Sequence, residues 1–153
     1  MSGDLCKKKG GRWCACFDPD KELQQIHFRI TGDTEIVEMM GLKGAEMSEI
    51  ASKITKRNEW IDLTGNDMRI NIFFVPSRLT SNVIVINETV QVEVHVPATK
   101  EHIAYRITGR IKKLLHGYQV GGRKYYFQGQ LGDLGTMPGF VCVGSRYGYY
   151  ATI

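Results

Sequence analysis

One stretch constrains the fold of this chain more than any other. From Val90 to Val96, valine stands at every second position, and Gln91, Glu93 and His95 fill the places between. Strict alternation of this kind specifies a β-strand with one buried face and one polar face. Pro97 closes the strand, and a helical pattern begins at once. Thr99 is expected as the N-cap, with Glu101 in the first turn, where the helix dipole favours a carboxylate. Ile103, Ala104, Ile107, Ile111, Leu114 and Leu115 recur at helical spacing and form one apolar stripe. Lys112, Lys113 and His116 complement the C-terminal end, and Gly117 is a natural residue to leave the helix. A strand that feeds directly into an amphipathic helix must lay that helix back on a sheet.

The remaining elements are read around this pair. Asp18-Pro19-Asp20 suits a turn or the start of a short helix, and residues 25–30 suit either a short strand or the tail of a helix. Periodicity predicts two short helices over 34–40 and 46–57, the first capped within Gly32-Asp33-Thr34. Residues 69–75 form an unbroken β-favouring run ended by Pro76, residues 77–82 a polar hairpin loop, and residues 83–86 a resumption of strand. After a turn at Gly121-Gly122, residues 123–131 read as a strand and 132–139 as a loop around Met137-Pro138. Residues 140–150 read as a last strand interrupted at Gly144. The expected fold class is α+β, a mixed sheet of roughly four strands packed by one long helix, with short N-terminal helices. At 153 residues the chain suits one domain. Residues 1–27 are expected as a basic, cysteine-containing segment and 28–153 as the domain itself.

Composition excludes several classes. With 42% hydrophobic and 24% charged residues the chain is neither a disordered polymer nor a coiled-coil rod. No stretch approaches the roughly 20 apolar residues of a membrane span, and the start of the chain lacks the apolar core of a secretory signal. The net charge of +4 permits contact with nucleic acid without arguing for it.

Chemistry is sparse. Cys6, Cys14 and Cys16 with His27 are the candidate metal ligands, but their spacing departs from the paired C-x₂-C pattern of structural zinc sites. The expectation is therefore no metal site: the plainer reading of the cysteines is three reduced thiols on an N-terminal tail. Cys142, between Val141 and Val143, reads as small core filler. Glu101, His102 and Cys142 could be drawn as a nucleophilic set, but nothing in the sequence brings them together. Residues 117–124 lack the phosphate-loop pattern. Arg123, Lys124, Tyr125, Tyr126 and Phe127, extended by Arg146, Tyr147, Tyr149 and Tyr150, could form a stacking and phosphate-binding face for single-stranded nucleic acid. The expectation is no catalytic residue, no cofactor and no enzymatic activity. The nucleic-acid module and a zinc-stabilised adaptor stand as alternatives.

The order of elements carries a resemblance. Residues 68–74, the alternating Val90-Gln91-Val92-Glu93-Val94-His95-Val96, the helix over 100–115 and the closing aromatic segment 140–153 follow one another in this order. From Asp33 to Ile153 the chain resembles the tail-terminator and head–tail joining proteins of long-tailed bacteriophages. The resemblance implies a virion protein assembled in the bacterial cytoplasm. It would form a hexameric ring that ends the tail tube and meets a neck or head-completion protein. Its partners would be further copies of itself, the tail tube protein and that neck protein, with DNA only as the passing genome and no membrane. Function would then lie in surfaces, in the edge strands and the loops 76–88 and 129–139. Arg78, Leu79, Asn82, Leu131, Leu134 and Met137 are the candidate interface residues.

Overall fold

The structure, a computed structural model, describes residues 8–9, 12–13, 19–57, 63–76, 78–79, 85–121 and 123–152. Cys6, Cys14, Cys16 and Asn82 lie outside the described residues.

Two short strands, β1 (Lys8–Lys9) and β2 (Arg12–Trp13), pair with each other. Helix α1 (Pro19–Thr31) follows, with proline at its first position and Asp20 and Glu22 in its first turn. Of the two alternatives expected around Pro19-Asp20 and again at 25–30, the structure has the helix in both places. Ile26 and Ile30 of α1 lie in the core, so a boundary at residue 27 falls inside a packed helix. Pro19–Thr31 thus contributes to the packed core.

Helix α2 (Thr34–Met39) is capped by Asp33, whose side chain accepts from the Ile36 amide. Helix α3 (Met47–Lys53) stops short of the expected 57. The β-branched Ile54 and Thr55 instead form β3 (Ile54–Thr55), which runs parallel to β4 (Arg69–Phe74). Pairing with a neighbouring strand here overrides the helical period.

Strand β5 (Arg78–Leu79) pairs with residues 86–87 inside the expected loop. Strand β6 (Val85–Pro97) is one continuous element across both expected segments. It passes through a 3₁₀ turn at Ala98–Lys100 into helix α4 (Glu101–Leu115). Thr99 is therefore inside the turn and does not cap the helix, and no side chain caps it at Lys100. At the other end Gly117 adopts φ 77°, a left-handed conformation favouring glycine just past a helix.

The region expected as one strand over 123–131 is divided. Strands β7 (Gln119–Val120) and β8 (Arg123–Lys124) form a small hairpin, and β9 (Tyr126–Leu134) joins the main sheet. Tyr125 lies between them with its ring buried. Strand β10 (Phe140–Thr152) runs unbroken through Gly144.

The main sheet has the order β3-β4-β6-β10-β9, with β5 added on β6. The fold is α+β, and its sheet is larger than the four strands expected. On one face Val90, Val92, Val94 and Val96 meet Ile70, Ile72 and Val143 beneath α1 and α4. Ile107, Ile111 and Leu115 of α4 are fully buried there. No helix among the described residues is long and apolar enough to cross a membrane.

Candidate functional site

The second face of the sheet carries the polar positions of β6, and these are buried. His95 is 0% exposed and Glu93 8%. Register explains what gathers around them. Cys142 on β10 and Arg69 on β4 are the direct partners of His95, while Asn71 and Gly144 oppose Glu93 and Arg146 opposes Gln91. Because side chains alternate along each strand, all of these share one face.

The result is a connected row. The Thr55 hydroxyl donates to Asn71 Oδ1 at 2.9 Å. That bond turns the Asn71 amide nitrogen toward His95 Nε2, 3.4 Å away. His95 Nδ1 lies 2.9 Å from Thr136 Oγ1, in the loop that follows β9. Cys142 Sγ is 3.6 Å and Glu93 Oε2 3.4 Å from His95 Nε2. Glu93 Oε1 accepts from Gln91 Nε2 at 2.7 Å, and Gln91 Oε1 accepts from Arg146 Nε at 2.9 Å. Most members of this row face a complementary group, as buried polar networks require, but the buried Arg69 Nε on the same face makes no hydrogen bond among the described residues.

Cys142 is thus no filler among valines. Its neighbours Val141 and Val143 point to the helical face, and its thiol points to the histidine. Glu101 and His102, by contrast, are exposed on α4 and belong to the other layer. The partner of Cys142 is His95, which register supplies and local spacing does not. As a nucleophile and base this pair is poorly arranged. Glu93 approaches the same ring nitrogen as the thiol and so cannot orient the ring from its other side. Cys142 is 0% exposed, which leaves no path for a substrate.

A second polar cluster ties the helical layer to the last strand. Glu22 of α1 is buried and accepts from Tyr125 Oη at 3.0 Å and Tyr149 Oη at 3.5 Å. The Arg123 guanidinium donates to Tyr149 Oη at 2.7 Å and lies over the Tyr149 ring. The Tyr125 and Tyr149 rings meet edge to face, 5.0 Å between centroids. Burial, with the Glu22 carboxylate adding to it, pushes the Tyr125 phenol well above its ordinary range. This cluster takes Arg123, Tyr125 and Tyr149 out of the aromatic face expected for nucleic acid. Tyr125, Tyr147 and Tyr149 are core residues, whereas Tyr126 and Tyr150 are 49% and 69% exposed.

His27 is buried in α1, and its Nε2 lies 2.7 Å from the Ile54 carbonyl oxygen. A carbonyl only accepts, so Nε2 carries a proton and is not available to a metal. Burial holds the His27 pKa below its usual value.

The candidate interface residues divide. Arg78 and Leu79 pair with Asn87 and Ile86. Leu131 and Leu134 turn over Gly144, where their methyl groups occupy the space of a side chain. Met137 is half-buried in the turn at 135–139. The more open feature is the outer edge of β9. It has no strand partner among the described residues, although its Phe127 amide donates to His116 Nδ1 at 3.0 Å. A cleft of about 350 Å³ beside α2 and α3, walled by Val37, Leu42 and Ile50, offers no convergent polar set. No family model matches this sequence, and no curated protein matches it.

Proposed function

We propose that this chain is a structural assembly protein of a phage or prophage virion, a subunit of a ring that ends the tail tube and joins it to the neck or head. The observation that carries the reading is the outer edge of β9. Proteins usually blunt or cover a strand edge of this length, because it templates pairing with another chain. This one runs for nine residues with Tyr126 exposed on it and Tyr150 exposed on the adjoining strand. Aromatic residues beside an open edge suit strand addition between copies. A head-to-tail contact of that kind closes into a ring when its rotation allows.

The order of elements supports the same reading. Strand β4, the alternating β6, helix α4 and the closing strand β10 follow one another as in the tail-terminator and head–tail joining proteins that the sequence resembles.

Native mass spectrometry of the full chain over a range of concentrations tests this. A hexamer is expected, and Tyr126→Lys with Gln130→Lys should return it to monomer without loss of fold. A wild-type chain that stays monomeric at its highest attainable concentration overturns the reading.

A further inference from the structure

We propose that Glu93, His95 and Cys142 form a buried binding site for a divalent transition-metal ion, zinc being the ion their chemistry fits. The three ligand atoms lie within 4.8 Å of one another. The two edges that meet at His95 Nε2 are those that a shared ion imposes. For tetrahedral zinc, with bonds of about 2.05 Å to nitrogen, 2.1 Å to oxygen and 2.3 Å to sulfur, the nitrogen–sulfur edge is about 3.6 Å and the nitrogen–oxygen edge about 3.4 Å. The observed edges are 3.6 Å from His95 Nε2 to Cys142 Sγ and 3.4 Å from His95 Nε2 to Glu93 Oε2.

The surrounding groups aim each ligand. With Asn71 Oδ1 accepting from the Thr55 hydroxyl at 2.9 Å, the shorter of that hydroxyl's two contacts, the Asn71 NH₂ faces His95 Nε2. Nε2 therefore holds a lone pair, and Nδ1–H donates to Thr136 Oγ1. This is the tautomer and the outer hydrogen bond that a ligating histidine needs. The Asn71 contact, at 3.4 Å, is longer than a strong hydrogen bond and leaves that lone pair weakly held. Gln91 holds Glu93 Oε1, which leaves Oε2 directed at the histidine. A nitrogen lone pair and a carboxylate oxygen facing each other at 3.4 Å are two acceptors with no proton between them, an arrangement that a cation resolves.

Charge balances as well. A divalent ion with one carboxylate and one thiolate is neutral, which suits a buried site. Binding releases the Cys142 thiol proton to solvent. Three protein ligands leave a fourth position for a small ligand such as water. Sulfur, imidazole and carboxylate together select a borderline ion over calcium or magnesium. Because the ligands are buried, loading accompanies folding. The proposal is independent of the ring reading.

Cobalt(II) is the probe, since a thiolate on tetrahedral cobalt gives a charge-transfer band in the near ultraviolet. The full chain carrying Cys6→Ser, Cys14→Ser and Cys16→Ser is unfolded in urea under reducing conditions and refolded with cobalt. One ion per chain and the thiolate band are expected. Adding Cys142→Ser should abolish the band. Thr136→Val keeps all three ligands and should weaken binding about 10- to 100-fold. A triple-serine chain that refolds by circular dichroism and takes up no cobalt overturns the proposal. So does an undiminished band after Cys142→Ser in the otherwise wild-type chain.

Discussion

Asp33 and Arg110 are joined by two parallel bonds, Nη2 to Oδ1 at 2.8 Å and Nε to Oδ2 at 3.1 Å, and the same Oδ2 caps α2 by accepting from the Ile36 amide. One carboxylate therefore starts a short helix and fastens it to the long one. Hydrogen bonding to Arg110 is the main cause that holds the Asp33 carboxyl below its ordinary value of 3.8. The stability it contributes is complete above about pH 4 and is lost as pH falls further, through the lowered value. Asp33→Ala should cost about 1 kcal/mol at pH 7 from the cap alone. Urea unfolding at pH 7 and pH 3 checks this, with the gap between variant and wild type narrowing at the lower pH.

His27 supplies a second acid-sensitive point. Burial lowers its pKa below 6.5, and its neutral form donates to the Ile54 carbonyl. Below about pH 6.5 the unfolded chain takes up the proton more readily, so stability falls with pH through that range. In His27→Gln the decline between pH 7 and 5 should flatten, as measured by urea midpoints. An equal slope in the variant would rule out His27 as its source.

The buried phenols act at the alkaline end. Burial pushes Tyr147 and Tyr149 each up to about 12, and Tyr125 higher still. Their contribution is full below their ordinary value of 10.0 and is lost as pH rises through the raised values. In an ultraviolet titration, these three of the seven tyrosines should ionise late or together with unfolding. Tyr125→Phe removes a donor from the buried Glu22 carboxylate and should cost about 1–3 kcal/mol.

Two glycines of β10 should rank sharply. A Cβ at Gly148 would lie 2.2 Å from the Glu88 carbonyl oxygen and 3.0 Å from Thr89 Cα, both backbone atoms of the paired strand. A Cβ at Gly144 would meet a Leu134 methyl at 2.7 Å and a Leu131 methyl at 3.3 Å, both on side chains that can turn aside. Gly148→Ala should cost about 3 kcal/mol or more, and Gly144→Ala nearer 1 kcal/mol. Chemical denaturation of the two variants decides, and a reversed order would contradict the packing described.

The central strand and helix were legible because their periods are strong: the valines of β6 and the stripe of α4 both lie where alternation and helical spacing put them. The helix start was misread because the chain leaves Pro97 through a 3₁₀ turn, which places Thr99 one step too early to cap. The aromatic run at 125–127 was misread because Tyr125 turns inward to Glu22, more than 100 residues away in sequence. Cys142 and His95 could not be joined from sequence. They stand 47 residues apart and meet only through the β6–β10 register, which alternation alone does not supply. The burial of the polar face was equally hidden, since a polar position in an alternating strand reads as facing water.

Strand β6 lies between β4 and β10, with valines toward the helices and Gln91, Glu93 and His95 toward the polar row. Both sets depend on counting by twos. Deleting one residue between Val90 and Val96 would exchange them on one side of the deletion, sending polar side chains toward the helices and valines into the polar layer. This strand can therefore absorb changes of side chain but not of length, and any insertion or deletion that spares the fold must fall in its turns, such as residues 135–139.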